Sequence, residues 1–571
     1  MARTVAEIVT DGLIQAGAKR IYGIPGDTIN HFTQAVSRSK LRWVHVRHEE
    51  TGAFAAGGEA YMTGELAVCA GTCGPGSLHF VNGIYESHRN GAPVLLIASD
   101  VDRTQKGFDF PQDVDQKKIY EQHSVFCEYI SHPHQARRIV TKAAQAALNR
   151  RGVAVVIVNG DMFSETDEDK VDWQVYRPAS VCRPSDDELK QLADLVNAAR
   201  RVSVYAGIGA RDAKAQIEAL CDRLKAPMVH TTRAKEFLEP DNPFNVGVNG
   251  ILGNKAGVEA LHRADLVLTL GCDFAYSQFY PEQGKIVQID IDPTHLGRRA
   301  PIHMGLVGGI GSTIEALLPL LTPREDRDHL DKMLDQWKQD LAGYREAGHN
   351  SDDTLIHPQF VANMLDGKAA DDAIFVSDVG TAMVWMLRHI TARGGRRFLN
   401  SLLHGTMASG FPQAMGAKIA YPERQVIALC GDGGMTMLMG DLLTLVQEKV
   451  PLKLLVFNNS TLGFVEMEQR VEGLVDHFTG LENPDFSKVA EACGIRGWRV
   501  EKASDLAPAM ESWLATEGPG LLDVKVNRME LVMPPEITVG QVASTALFGV
   551  KAVLYGRAKE VVGLLRDNFL R

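Results

Sequence analysis

The chain has 571 residues, 45% of them hydrophobic and 23% charged, with a formal net charge of −11. That length exceeds what one hydrophobic core covers and suits three domains of a soluble globular enzyme. The acidic balance, with no basic block in the body of the chain, argues against a nucleic-acid partner, and no apolar run approaches membrane-spanning length.

At the N-terminus, Glu7 and Asp11 interrupt the apolar stripe early, so no signal-peptide core is expected there. Strand candidates then alternate with helical stretches, the pattern of parallel sheets covered by helices. A first unit, residues 1–180, has strands expected at 21–24, 43–46, 66–70, 94–98 and 153–159. Gly23-Ile24-Pro25-Gly26-Asp27 and Gly71-Thr72-Cys73-Gly74-Pro75-Gly76 each follow a strand at its carboxyl end, where ligands gather in such sheets. Arg47-His48-Glu49-Glu50 stands between a strand and an Ala/Gly-rich helix expected over 53–61. Such a Glu pair either compensates a helix dipole or brings a carboxyl group to chemistry. Residues 167–184 dissolve into a charged, proline-containing linker.

The second unit, 183–333, opens at Ser185-Asp186-Asp187-Glu188, a capping-box spacing that starts an amphipathic helix. Its strands are expected at 202–206, 228–230, 266–270 and 286–291. Gly207-Ile208-Gly209-Ala210 is a short G-x-G turn, a weak dinucleotide signal because tight βα turns need glycine anyway. Residues 323–327 form a charged connector to the third unit, 334–530, with strands at 374–377, 426–430, 452–457 and 521–526. Beyond it a tail spans 531–571. Its last part sets Lys551, Arg557, Lys559, Arg566 and Arg571 against Glu560 and Asp567, and repeats apolar residues from Leu554 to Phe569 at three- and four-residue steps. Such a helix either lies in an anionic membrane interface or docks on its own protein. The eight scattered cysteines read as reduced thiols of a cytosolic protein, since Cys69 and Cys73 lack a second pair for a zinc site.

The most specific signal is Cys430-Gly431-Asp432-Gly433-Gly434 followed by Phe457-Asn458-Asn459, with Asn459 placed 27 positions after Asp432. Two adjacent parallel strands joined by a helix bring both side-chain oxygens to one carboxyl edge. A hard cation such as Mg2+ takes such oxygens together with phosphate oxygens, and the glycines let main-chain N–H groups approach a diphosphate. A lone Gly-Asp-Gly reads as a tight turn; with the Asn pair at this distance, between two apolar runs, that reading no longer suffices.

This spacing resembles the thiamin diphosphate (ThDP) motif. Over essentially its whole length the chain is similar to the ThDP-dependent acetolactate synthase/pyruvate oxidase family, in particular its pyruvate:quinone oxidoreductase type. The resemblance implies an α/β protein of three doubly wound parallel-sheet domains: pyrimidine-binding, central FAD-binding and Rossmann-like, and diphosphate-binding. An amphipathic, membrane-binding C-terminal tail follows. It further implies that Glu49, with Glu50 as the alternative, hydrogen-bonds N1′ of the aminopyrimidine, and that Asn82, His88 and Asn90 lie nearby. Gly405-Thr406-Met407 flanks the cofactor, Met407 propping its bent form. Mg2+ is held by Asp432, Asn459 and the carbonyl of Thr461, while Gly433, Gly434, Ser460, Leu462 and Gly463 complete the diphosphate contacts. Phe464 assists electron transfer to flavin, and Glu468 stands near the reacting carbon. FAD is met by Asn249-Gly250-Ile251-Leu252, Cys272-Asp273-Phe274-Ala275-Tyr276 and Asp290.

The implied activity is oxidative decarboxylation of pyruvate to acetate and CO2, with electrons passed through FAD to a membrane quinone. The implied setting is a homo-oligomer, a dimer of dimers, in the cytoplasm and peripheral on the inner face of the cell membrane. The alternatives are an acetolactate synthase-like carboligase, another 2-oxo acid as substrate, or oxygen as acceptor. The pattern departs at Phe110-Pro111-Gln112-Asp113, where relatives have Phe-Gln-Glu. It departs again at Glu466, where a relative has a small residue and this chain is expected to add charge beside the pocket.

Overall fold

A computed structural model describes residues 2–530 apart from Asp172, Ser351, Asp476 and Met529; the expected tail, 531–571, lies outside the described residues. Runs such as Val153–Asn159 are buried along their whole length. Parallel strands covered on both faces require that pattern. Three six-stranded parallel sheets result. The first runs Arg42–His45, Arg20–Gly23, Ala67–Gly71, Val94–Asp100, Val153–Asn159, Phe126–Tyr129. The third runs Arg397–Leu399, Ile374–Ser377, Val426–Gly431, Lys453–Asn458, Gly520–Lys525, Arg496–Val500. Counted within each domain, both have the order 2-1-3-4-6-5.

The central sheet differs. Its strands Asn245–Val248, Met228–His230, Val202–Ala206, Leu266–Leu270, Lys285–Asp290 and Met304–Val307 take the order 3-2-1-4-5-6. That is the order of dinucleotide-binding sheets, whose ligands lie at the carboxyl edge where the strand order reverses. A two-stranded antiparallel pair, Arg3–Thr4 with Thr166–Asp167, ties the N-terminus to the start of the linker.

The Ala/Gly composition of the Glu49–Thr63 helix has a packing cause. A Cβ on Gly416 would sit 1.9 Å from the Ala55 carbonyl oxygen, and one on Gly58 would sit 2.2 Å from that of Gln413. Glycine therefore lets this helix and Gly410–Ala420 approach main chain to main chain. One hydrophobic cluster runs through the first and third domains, from Tyr22 and Val94 to Ile374 and Val456.

Three expectations need correction. Glu49 and Glu50 do not precede the helix but open it, with His48 as N-cap. The division between 333 and 334 falls inside the Asp328–Ala347 helix. Leu330 and Met333 of that helix belong to central-domain cores, with Trp337 packed beside them. Within the six-stranded sheets five strands were not anticipated: Phe126–Tyr129, Asn245–Val248, Met304–Val307, Arg397–Leu399 and Arg496–Val500. The capping box at Ser185 and Glu188 is present, and all eight cysteines are unpaired. No helix among the described residues is long and apolar enough to cross a membrane.

Candidate active site

The third sheet reverses its order between Ile374–Ser377 and Val426–Gly431, and each strand delivers an aspartate there. Asp432 is buried; its Oδ1 accepts the Gly433 N–H at 2.9 Å, and its Oδ2 accepts the Ser460 N–H at 2.6 Å and the Asn483 amide at 2.8 Å. Burial raises its carboxyl pKa, opposed by those donors and by Lys525. Asn459 follows the neighbouring strand, and its Oδ1 accepts the Thr461 N–H at 3.2 Å. The Thr461 carbonyl accepts the Gly463 N–H at 2.9 Å across a tight turn at Leu462. A carbonyl or carboxylate oxygen has further lone pairs, so these oxygens still suit a hard cation. Among the described residues no cluster of three or more His, Cys, Asp or Glu could hold a metal. A cation in this cradle therefore draws on one carboxylate, an amide, a main-chain carbonyl and the diphosphate itself.

The glycines are sterically required. A Cβ on Gly433 would lie 2.8 Å from Leu462 and 3.2 Å from the Met407 methyl, and one on Gly434 would overlap the Asp378 carboxylate. These contacts place Met407 and Leu462 against the Gly-Asp-Gly turn. Asp378 was not singled out from sequence, although it repeats the strand-then-Asp signal of Asp432. It is fully buried, accepts the Val379 N–H at 3.1 Å, and burial pushes its carboxyl up to about 7. Asn483 was also missed; it comes from a loop with no periodic signal.

In the first domain the adjacent Glu49 and Glu50 diverge, because successive helical residues point about 100° apart. Glu49 is buried, and its Oε2 lies 2.9 Å from His79 Nδ1, whose ring stacks on His48 at 4.7 Å. Glu50 accepts the Asn82 amide at 2.5 Å; that amide also donates to Thr406 Oγ1 at 3.0 Å, and Asn82 Oδ1 lies 2.7 Å from His404 Nε2. Glu50 is thus engaged, through Asn82, in holding Thr406 of its own chain, whereas Glu49 is bonded to His79 of the first domain. His79 went unnoticed in the sequence.

Of the other residues expected here, Asn82 joins this network directly, and Asn90 reaches Thr406 through Glu86 and the Ser401 hydroxyl. His88 sits beside Gly152, at the amino end of the Val153–Asn159 strand, where burial lowers its pKa. Asn90 donates to Glu86 and to the Asn400 carbonyl in the interface of the first and third domains. His88 thus lies at the amino edge of the first sheet, near the end of the Val81–Asn90 helix.

Asn249–Leu252 follows the edge strand Asn245–Val248, whereas Cys272–Tyr276 and Asp290 follow or end the adjacent strands Leu266–Leu270 and Lys285–Asp290; all share the central carboxyl edge. The Gly207 turn closes on Gly271, with Gly209 N–H donating to the Gly271 carbonyl at 3.0 Å. Asp273 is ion-paired with Arg298 and Arg299, and Asp290 Oδ1 lies 3.3 Å from His295 Nδ1. Arg388, from the third domain's Thr381–His389 helix, donates to the carbonyls of Ile251 and Leu252 at 3.2 and 3.3 Å, joining this edge to the third domain.

Phe464 is half-buried and Glu468 exposed on the Gly463–Val471 helix. Glu466, expected to add charge beside the pocket, is buried and paired with Arg470, which offsets that charge. Asp113 is held by Lys106 at 2.6 Å, and Lys106 also reaches Asp100 at 2.7 Å. Gln112 has φ 70° and lies against Gly74 and the Cys73 thiol.

Three family models match the chain: the N-terminal TPP binding domain of thiamine pyrophosphate enzymes over residues 3–119, the central domain over 189–317, and the C-terminal TPP binding domain over 378–524. The chain is 35% identical to a putative thiamine pyrophosphate-containing protein of Bacillus subtilis, over 99% of both chains. It is 32% identical to the pyruvate oxidase of Lactiplantibacillus plantarum, over 90% of this chain and 86% of that one. It is 30% identical to an acetolactate synthase of Mycobacterium bovis, over 93% and 89%.

Proposed function

The chain belongs to the thiamine pyrophosphate enzymes, and on that premise we propose that it oxidatively decarboxylates pyruvate, passing the electrons through FAD to a membrane quinone. The reaction is balanced as pyruvate, water and quinone giving acetate, CO2 and quinol. The observation that carries this reading is the pairing of a one-carboxylate oxygen cradle in the third domain with a central sheet in the dinucleotide order. The likeness to a pyruvate oxidase supports it.

When bound, ThDP supplies the electron sink that lets the carboxylate leave as CO2, and FAD the acceptor for the electron pair. The residues do the rest. Asp432, Asn459 and the Thr461 carbonyl hold Mg2+, and Gly433 and Gly434 admit the diphosphate. Met407 shapes the cofactor bed. Glu49, steadied at Oε2 by His79, holds the proton exchanged with N1′ of the pyrimidine. Asn249–Leu252, Cys272–Tyr276 and Asp290 bind FAD, while Phe464 lies on the electron path and Glu468 near the substrate.

Each site takes Glu49 from one protomer and the cradle from another, in a homo-oligomer built as a dimer of dimers. The orientation of Glu49 supports this, since its neighbours Glu50 and Thr51 are the residues tied to the third domain of the same chain. The tail, 531–571, brings the enzyme to the inner face of the cell membrane.

The likeness to acetolactate synthases supports a second reading, carbon–carbon bond formation with the flavin idle. Anaerobic addition of pyruvate separates the two. Bleaching of bound flavin that requires ThDP and Mg2+ is the expected result. Acetolactate formation without bleaching would establish the carboligase, and bleaching by another 2-oxo acid alone would replace pyruvate as substrate.

A further inference from the structure

Glu466 is 1% exposed, in the first turn of the Gly463–Val471 helix. Its Oε2 accepts the Thr461 hydroxyl at 2.5 Å and lies 3.3 Å from Arg528 Nε, while its Oε1 pairs with Arg470 one helical turn on. Thr461, Arg470 and Thr479 are buried with it. A carboxylate taken out of water is tolerated only with such charged and hydrogen-bonding partners.

Thr461 is held from the other side as well. Its hydroxyl lies 3.1 Å from the Thr479 carbonyl, and main-chain bonds from Leu462 N–H to Thr479 and from Leu481 N–H to Ser460, at 2.8 and 2.9 Å, lace the 459–462 loop to 479–481. Ser460 itself has φ 57°, a left-handed conformation that a non-glycine residue keeps only when its surroundings impose it. The loop that offers two of the three cation oxygens is therefore strained and clamped; Lys525 and Asp432 hold it at Ser460, and Glu466 is the charged group that holds it at the Thr461 hydroxyl.

We propose that Glu466 is a positioning residue for the metal loop. Through the Thr461 hydroxyl it fixes the peptide whose carbonyl is offered to Mg2+, so that this loop and the helix carrying Phe464 behave as one body. The inference rests on the reading that the cradle holds Mg2+ and ThDP. Glu466 touches neither the cofactor nor the substrate; its effect passes through Thr461.

The link can be cut from either end. Glu466→Gln keeps the size of the side chain but loses the charge opposite Arg470. Thr461→Val keeps the main-chain carbonyl but loses the hydroxyl, and leaves the buried ion pair intact should the first variant fold poorly. Tryptophan fluorescence of the full-length apoprotein is followed while Mg2+ is added at saturating ThDP, then while ThDP is added at saturating Mg2+. Each variant should need about tenfold more Mg2+ for half-saturation, the size of effect that outer partners of metal ligands have. The ThDP titration at saturating Mg2+ should not move, and the double variant should be no worse than the poorer single one. Unchanged Mg2+ half-saturation in both single variants, or strictly additive losses, would overturn the proposal. A wild-type chain whose ThDP binding ignores Mg2+ would overturn the cradle reading and this inference together.

Discussion

The first and third domains share a strand order and differ in what stands at its reversal. In the third, the residues after strands Ile374–Ser377, Val426–Gly431 and Lys453–Asn458 are Asp378, Asp432 and Asn459. In the first, the residues after the matching strands Arg20–Gly23, Ala67–Gly71 and Val94–Asp100 are Ile24, Thr72 and Val101. Three oxygen-bearing groups thus face one small hydroxyl and two apolar side chains. The acid that does end a first-domain strand, Asp100, is already paired with Lys106 and bonded by Tyr129. The first domain instead offers Glu49 from the helix after a different strand. One scaffold therefore serves opposite ends of a cofactor, and the chemistry belongs to a few strand-end residues rather than to the fold.

The sharpest way to break this contrast is at Glu49. Glu49→Gln should lower turnover by roughly 10²–10⁴-fold, the range for loss of a positioned proton-transfer group, while leaving ThDP affinity nearly intact. Glu50→Gln should act mainly on cofactor affinity, because Asn82 and Thr406 lose their anchor. Steady-state kinetics beside fluorescence titration would tell them apart; equal kinetic losses in both variants would erase the distinction. Next in size, Asp432→Ala should weaken Mg2+-dependent ThDP binding by more than about 100-fold, beyond the range for outer partners of metal ligands. Thr72→Val, at the matching first-domain position, should leave the Mg2+ requirement where it is. A comparable Mg2+ effect from Thr72 would mean that both reversal points hold metal.

A smaller step is Asn483→Ala. It removes one donor from Asp432 Oδ2, and a tenfold rise in the Mg2+ needed for half-saturation is about what an outer partner contributes. Asn483 also marks the limit of what sequence makes legible. Asp432 and Asn459 could be found because a strand, a glycine turn and a second strand fix their relation locally. Asn483 reaches them from a loop 51 residues beyond Asp432, by tertiary folding alone. Arg388 and His79 were hidden for the same reason.

The strands divide in the same way. Inner ones such as 202–206 and 153–159 are continuous apolar runs, whereas all five that were missed lie at sheet edges. There one side meets solvent or loops, so Glu128, Arg397, Arg496 and Arg499 interrupt the pattern. The divergence of Glu49 and Glu50 was likewise not legible: the helix begins at Glu49 and sends the two carboxylates to different neighbours.

The finest test of the contrast is Asp378 against Ile24. Ile24 needs no charge state, but burial pushes the Asp378 carboxyl from its ordinary 3.8 up to about 7. The folded chain therefore favours the protonated form. This group's contribution to stability is full below the unfolded value and is lost as pH rises through about 7, because the unfolded chain releases the proton earlier. Asp378→Asn carries no such penalty. Its melting temperature relative to the parent should therefore improve between pH 5 and pH 8, by roughly 2–4 °C for each kcal/mol removed. Parallel melting curves across that range would mean that Asp378 stays ionised, held by main-chain N–H groups around Val379. The third-domain reversal point would then carry two negative charges even below pH 7, where the raised value leaves Asp378 mostly protonated, and a cation in the cradle would have to balance both.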